Sequence, residues 1–254
     1  MTQGDFVWYE LCTTDPVAAA DFYSKVVGWT IKPSLLPGID YSVACLGNHQ
    51  LAGIMTLPPE QMPPRPVWFG YVAATDVDAK ATEIRAAGGT VHKAPQDIPT
   101  VGRFAVVSDP RGAVFMLFRG SGEPPPPLAP MQTGSIGWHE LHSTDWEKTW
   151  PFYEQMFGWT KDTLHDMGPM GSYQLFKSSN LPIGGMINDS QFSPRPYWLY
   201  YFVVDDIDAG TDRVKTYGGT VLLGPQEVPG GAWIINAQDP QGGMFALVGM
   251  KASE

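Results

Sequence analysis

The chain has 254 residues, with 16 Lys and Arg against 26 Asp and Glu and a formal net charge of -10. With no cluster of basic side chains, its surface repels phosphate backbones and anionic lipid, which argues against nucleic acid or a membrane as partner. No apolar run approaches the roughly 18 residues that cross a bilayer, and the amino terminus lacks a basic segment followed by a hydrophobic one, so the expected compartment is the cytoplasm. Only two cysteines occur, Cys12 and Cys45, and they read as free thiols.

Phe6 to Thr13 is rich in aromatic and β-branched residues and predicts a strand. It runs into Asp15-Pro16, the chemistry of a helix start. Ala19, Phe22, Tyr23 and Val26 recur at helical spacing up to Gly28, which predicts a helix of about three turns. Extended runs follow at Tyr41 to Leu46 and Leu51 to Leu57, joined through the turn pair Gly47-Asn48. The pattern then restarts: a strand over Val67 to Ala74, a helix face of Val77, Ala81, Ile84 and Ala87, and a stop at Gly88-Gly89. Strands over Thr90 to His92, Arg103 to Ser108 and Ala113 to Phe118 complete it, with Asp109-Pro110-Arg111-Gly112 as the last hairpin turn.

Each unit is therefore a strand, a helix and three strands, and the pair of units is itself duplicated. Trp8-Tyr9-Glu10-Leu11 returns as Trp138-His139-Glu140-Leu141, Gly28-Trp29 as Gly158-Trp159, and Asp109-Pro110-x-Gly112 as Asp239-Pro240-x-Gly242, at a constant offset of 130 residues. A proline-rich, extended linker over 122–133 separates a first domain at 1–121 from a second at 134–254. One helix per unit covers one face of a sheet; two units side by side enclose a cleft between the uncovered faces, where a ligand is sought.

These motifs resemble the vicinal oxygen chelate superfamily, which includes glyoxalase I, bleomycin-resistance and extradiol dioxygenase proteins. The Trp-x-Glu-Leu opening and the duplicated plan are most similar to its actinobacterial 27-kDa-antigen and hydroxylase group. The resemblance implies an α+β fold of two tandem domains, each of two βαβββ units forming a sheet-lined cleft. It also implies a divalent metal held by His, Gln or Glu on the first strand of each unit and by Glu near the end of the last. The matching positions here are Trp8, Phe69 and Met116 in the first copy and Trp138, Leu199 and Ala246 in the second. None offers a donor for such an ion, so no metal and no cofactor is expected.

Strand alternation then predicts what lines the clefts. Trp8, Glu10 and Cys12 share one face, as do Trp138, Glu140 and His142; Phe69 with Tyr71, Met116, and Leu199 with Tyr201 join them. The expected site is an aromatic box holding one carboxylate, suited to a planar or apolar organic molecule. Glu10 and Glu140 are the candidate general bases, because a carboxylate beside rings is desolvated. Against this stands a structural role for each, bonded to backbone or to Arg65 or Arg195. Glu140 and His142 could grip an ion only if a third ligand joined them. His139 is expected on the helix side, as are Trp68 and Trp198, while His49, His92 and His165 are expected in solvent.

The favoured expectation is a metal-independent protein that sequesters a small molecule. The alternative is an enzyme, either a metal-dependent lyase or dioxygenase or a metal-free isomerase or hydroxylase. Four units in one polypeptide make a monomer sufficient, with a homodimer open.

Overall fold

In the computed structural model, which describes residues 2–34, 40–57, 66–188 and 194–252, each described α-helix begins on an aspartate. Asp15, Asp76, Asp145 and Asp206 accept the backbone N–H three residues on, at the starts of α1 (Pro16–Val27), α2 (Val77–Ala86), α3 (Trp146–Phe157) and α4 (Ile207–Thr216). Gly28 and Gly158 end α1 and α3 in the left-handed conformation, at φ 88° and 68°, where a side chain would be strained.

The first copy's strands are β1 (Phe6–Thr13), β2 (Thr30–Pro33), β3 (Tyr41–Leu46), β4 (His49–Thr56), β5 (Val67–Ala73), β6 (Thr90–Ile98), β7 (Gly102–Ser108) and β8 (Val114–Gly120). The second copy's are β9 (Ile136–Ser143), β10 (Thr160–Asp166), β11 (Ser172–Ser178), β12 (Leu181–Asn188), β13 (Tyr197–Val203), β14 (Thr220–Glu227), β15 (Trp233–Gln238) and β16 (Met244–Gly249). They form two eight-stranded sheets of identical plan, β2-β3-β4-β1-β5-β8-β7-β6 and β10-β11-β12-β9-β13-β16-β15-β14. This is the expected α+β architecture. β6 runs six residues beyond the expected Thr90 to His92 because Pro95, which reads as a breaker, sits where its pairing with β7 shifts register between Lys93 and Gln96.

The duplication is not at one constant offset. Tyr41 opens β3 and Tyr173 is the second residue of β11, and Gly53 and Gly185 hold equivalent partner positions; each pair is 132 residues apart, whereas Glu10 and Glu140 are 130 apart. The second copy's β10–β11 connection, with its short 3-10 turn at Gly168–Met170, takes up the difference.

Two compact units arise, and each draws on both copies: Met1–Trp8, Phe69–Pro126 and Trp138–Leu199 in one, Tyr9–Trp68, Pro127–Gly137 and Tyr200–Glu254 in the other. In the first, α2 meets α3; in the second, α1 meets α4. The same device closes both. Asp109 uses Oδ1 to accept the backbone N–H groups of Arg111, Gly112 and Ala113 in its own hairpin turn, while its Oδ2 accepts the hydroxyl of Tyr153 at 3.0 Å. Asp239 likewise holds its turn and accepts the hydroxyl of Tyr23 at 2.9 Å, and Tyr23 in turn accepts the indole N–H of Trp68. Both tyrosines are fully buried, at 0% exposure. Burial pushes both aspartates up from the ordinary carboxylate range. Trp68 packs edge-on against Tyr23 and Trp198 against Tyr153, on the helix side as expected.

His139 also lies on that side, its ring stacked on Phe6 at 4.0 Å and its Nδ1 bonded to the Ile183 carbonyl. Burial holds its imidazole at about 4 instead of 6.5.

Removing either tyrosine hydroxyl leaves a buried carboxylate short of a donor. Tyr23→Phe and Tyr153→Phe are each expected to lower unfolding free energy by about 2 kcal/mol in urea titrations; unchanged midpoints would show that these bonds carry no stability. For His139, the unfolded chain binds a proton near pH 6.5 while the folded one stays neutral to about pH 4. Stability therefore falls as pH drops through that window, by up to about 3 kcal/mol, and is unaffected above it. Urea melts at pH 7 and 4.5 are expected to differ less in His139→Phe than in the parent.

Candidate functional site

On β9, Trp138, Glu140 and His142 alternate with His139 and Leu141 and so point away from the helix side. Glu140 sits opposite Gly185 of the parallel neighbour β12, and that glycine makes the arrangement work. The Tyr173 ring from β11 lies directly over it; a Cβ at residue 185 would come within 2.3 Å of the phenol Cζ. Passing over the gap, the Tyr173 hydroxyl donates to Glu140 Oε2 at 2.7 Å and accepts the Trp138 indole N–H at 2.8 Å. The other carboxylate oxygen, Oε1, lies 2.7 Å from His142 Nε2. The imidazole in turn stacks on Tyr197, centroids 4.5 Å apart and planes 8° from parallel. Trp138, Glu140, His142, Tyr173 and Tyr197 thus form one connected group on a helix-free sheet face.

Glu140 is 8% exposed and His142 3%, whereas Trp138, Tyr173 and Tyr197 are half-buried. Burial of its hydroxyl, and then the Glu140 charge, raise the Tyr173 phenol well above its ordinary range. It stays a donor at any physiological pH.

The first copy repeats part of this. Tyr41 donates to Glu10 Oε2 at 2.9 Å, Glu10 faces Gly53 across β1 and β4, and a Cβ at residue 53 would fall 1.7 Å from the Tyr41 hydroxyl. Cys12 stands where His142 does. Burial first, and the Glu10 charge second, push its thiol upward, which keeps it protonated and unreactive.

Of the other expected residues, Trp8, Phe69, Tyr71 and Met116 come together in one aromatic patch, joined by Phe104 and Phe118. The last two were legible by alternation from Met116 and across the β7–β8 pair. Leu199 and Tyr201 are buried at 1% and 2% exposure, as Tyr71 and Met116 are at 4% and 5%. Arg65, considered as a partner for Glu10, lies outside the described residues, and Arg195 is exposed. Both buried carboxylates accept a phenol hydroxyl. His92 is exposed as expected, while His49 and His165 are half-buried on β4 and β10.

The family's metal positions carry indole, phenyl, thioether and alkyl groups. Among the described residues, no three His, Cys, Asp or Glu side chains gather to hold an ion; Glu140 and His142 are two donors. The described residues at these positions do not fit the metal that the fold family uses.

Comparisons with known proteins agree with this fold. The sequence model of the Glyoxalase/Bleomycin resistance protein/Dioxygenase superfamily matches residues 5–117 and 135–247. The "Putative glyoxylase CFP32" of Mycobacterium bovis is 32% identical, over 97% of this chain and 95% of its own length. The anthracycline biosynthesis protein DauV of Streptomyces sp. strain C5 is 30% identical over 96% and 92%. Among solved structures, the 2,3-dioxygenase LapB from Pseudomonas sp. KL28 superposes with a TM-score of 0.69 at 13% identity, covering 99% of this chain and 94% of that one. The Mn(II)-bound glyoxalase from Novosphingobium aromaticivorans superposes with a TM-score of 0.68 at 15% identity, covering 99% and 84%. At such identities the likeness is one of fold.

Gly185→Ala forces the Tyr173 ring aside and breaks its bond to Glu140. The expected cost is about 2 kcal/mol of stability in the parent, and clearly less in a Tyr173→Ala background, where the collision is already gone. A double-mutant cycle measures the coupling; strictly additive costs would mean that the glycine serves some other purpose.

Proposed function

We propose that this chain, which belongs to the Glyoxalase/Bleomycin resistance protein/Dioxygenase superfamily, is a metal-independent protein that binds a small planar or apolar organic molecule. The ligand lies on the helix-free sheet face of one or both copies. The observation that carries this reading is the exchange of donors for rings: Trp8, Phe69 and Met116 pack with Tyr71 where ion-holding side chains are expected, and Trp138 is bonded into a phenol–carboxylate group. Half-buried indole and phenol faces provide large contact areas at small conformational cost, and one oriented carboxylate supplies specificity.

The partner in this reading is a small molecule and not nucleic acid, and a monomer is sufficient for it, with a homodimer open. No described helix is long and apolar enough to cross a membrane, and the cytoplasm is the compartment we assign. A second reading, a metal-free isomerase or hydroxylase with Glu140 as general base, is favoured by the 2.7 Å approach of His142 to that carboxylate. Glu10 would be its counterpart in the first copy.

Elemental analysis of protein purified without chelator tests the first half; a stoichiometric divalent ion overturns metal independence. Calorimetry with tryptophol, a neutral indole, tests the second. Saturable binding is expected, weakened at least about tenfold (about 1.4 kcal/mol) by Trp8→Ala or Trp138→Ala, whichever copy is in use. Turnover of a bound ligand, lost in Glu140→Gln, would favour the enzyme.

A further inference from the structure

At the end of the first copy's sheet, within one compact unit, the ends of β5 and β8 and the start of the proline-rich segment enclose a cavity of about 290 Å³. Two alanines make room for it. Ala73 and Ala74 are buried in its wall, and the residues that match them in the second copy, by their bonds to the neighbouring strand, are Val203 and Val204. Phe118 and Pro124 add apolar surface, while Thr75 and Gln3 supply neutral polar groups, the Thr75 hydroxyl donating to Gln3 Oε1 at 3.1 Å. Among the described residues that line the cavity, Arg119 alone carries a charge.

Arg119 stands directly opposite Arg103 across the β7–β8 pair. Like charges so placed repel each other and call for counter-ions. Arg103 takes two, Asp78 at 2.6 Å and Asp97 at 2.8 Å. The guanidinium of Arg119 has none among the described residues, and it is exposed at the cavity. At the matching pair the second copy has Trp233 and Gly249, and a Cβ at residue 249 would lie 2.8 Å from the Val204 carbonyl oxygen. The second copy thus has neither the alanine pair nor the cation.

A planar guanidinium whose N–H donors are uncommitted matches a carboxylate through two parallel bonds. One positive charge, on a chain of net charge -10, suits a monoanion better than a doubly charged phosphate. We infer that this cavity is a separate binding site for a small organic monocarboxylate, its carboxylate paired with Arg119 and its flat apolar body against Ala73, Ala74 and Pro124. The inference stands apart from the ligand proposed for the ring-lined faces. Phe118 belongs to both, but Trp8 is not in the cavity wall.

Backbone amide NMR of the full chain at pH 7 tests this with benzoate as probe. Benzoate is expected to shift the Ala74 and Gly122 signals saturably, with a Kd of roughly 1 mM, and benzamide and inorganic phosphate to bind at least about tenfold more weakly. Arg119→Met, at an exposed position, is expected to weaken benzoate at least about tenfold. Ala74→Val, which gives the first copy the second copy's residue, is expected to do the same while keeping the charge; if it does not fold, Arg119→Met still decides. Trp8→Ala is expected to leave benzoate affinity unchanged. No saturable shift up to about 10 mM, benzamide or phosphate binding as tightly as benzoate, or unchanged affinity in Arg119→Met overturns the inference. Benzoate binding lost in Trp8→Ala and kept in Arg119→Met overturns it too, and supports the ring-lined face as the organic site; loss of indole binding at that face leaves the benzoate results untouched.

Discussion

The interaction on which the rest depends is the buried bond between a turn aspartate of one copy and a helix tyrosine of the other. Asp109 with Tyr153 and Asp239 with Tyr23 are reciprocal. Each aspartate spends one oxygen on its own hairpin turn and the other on the opposite copy, so turn geometry and inter-copy packing cannot be changed separately. A carboxylate 2–3% exposed is costly to bury, and donors from a turn and a phenol offset that cost. Both compact units are organised around such a pair, wrapped in tryptophan and phenylalanine rings.

The helix sides are consumed in this packing, and the helix-free faces are where we propose that a ligand lies. There the chain solves a second desolvation problem by similar means. Gly53 and Gly185 remove a side chain so that a tyrosine can cross a strand and cap the glutamate beyond it. Each carboxylate thereby accepts a phenol hydroxyl from across a neighbouring strand. A fold whose relatives include a dioxygenase and a Mn(II)-bound glyoxalase thus carries, in this chain, a site whose chemistry has to be argued from its own residues.

The two copies share this plan but not its completion. Glu140 has an imidazole at 2.7 Å, and Glu10 has a protonated thiol two residues away on its strand. A duplication that keeps the tyrosine, glycine and glutamate while varying the fourth residue separates what holds the carboxylate from what tunes it.

The sequence by itself determined the elements and their duplication, since helix starts at Asp15 and Asp145, stops at Gly28 and Gly158, and strand alternation through Trp8, Glu10 and Cys12 are local chemistry read within a few residues. It also showed that the six positions matching the family's metal ligands carry no donor side chain, which needs only residue identities. The partners of the glutamates were decided by tertiary structure. Tyr41 and Tyr173 reach Glu10 and Glu140 from more than 30 residues away, and a two-residue slip between the copies hides their equivalence from a fixed-offset comparison. Likewise the Asp-Pro-x-Gly motif reads as a turn, and its second oxygen is unassigned until the opposite helix arrives. Spacing along a strand encodes which face a side chain takes; which distant side chain meets it there depends on how sheets and helices pack.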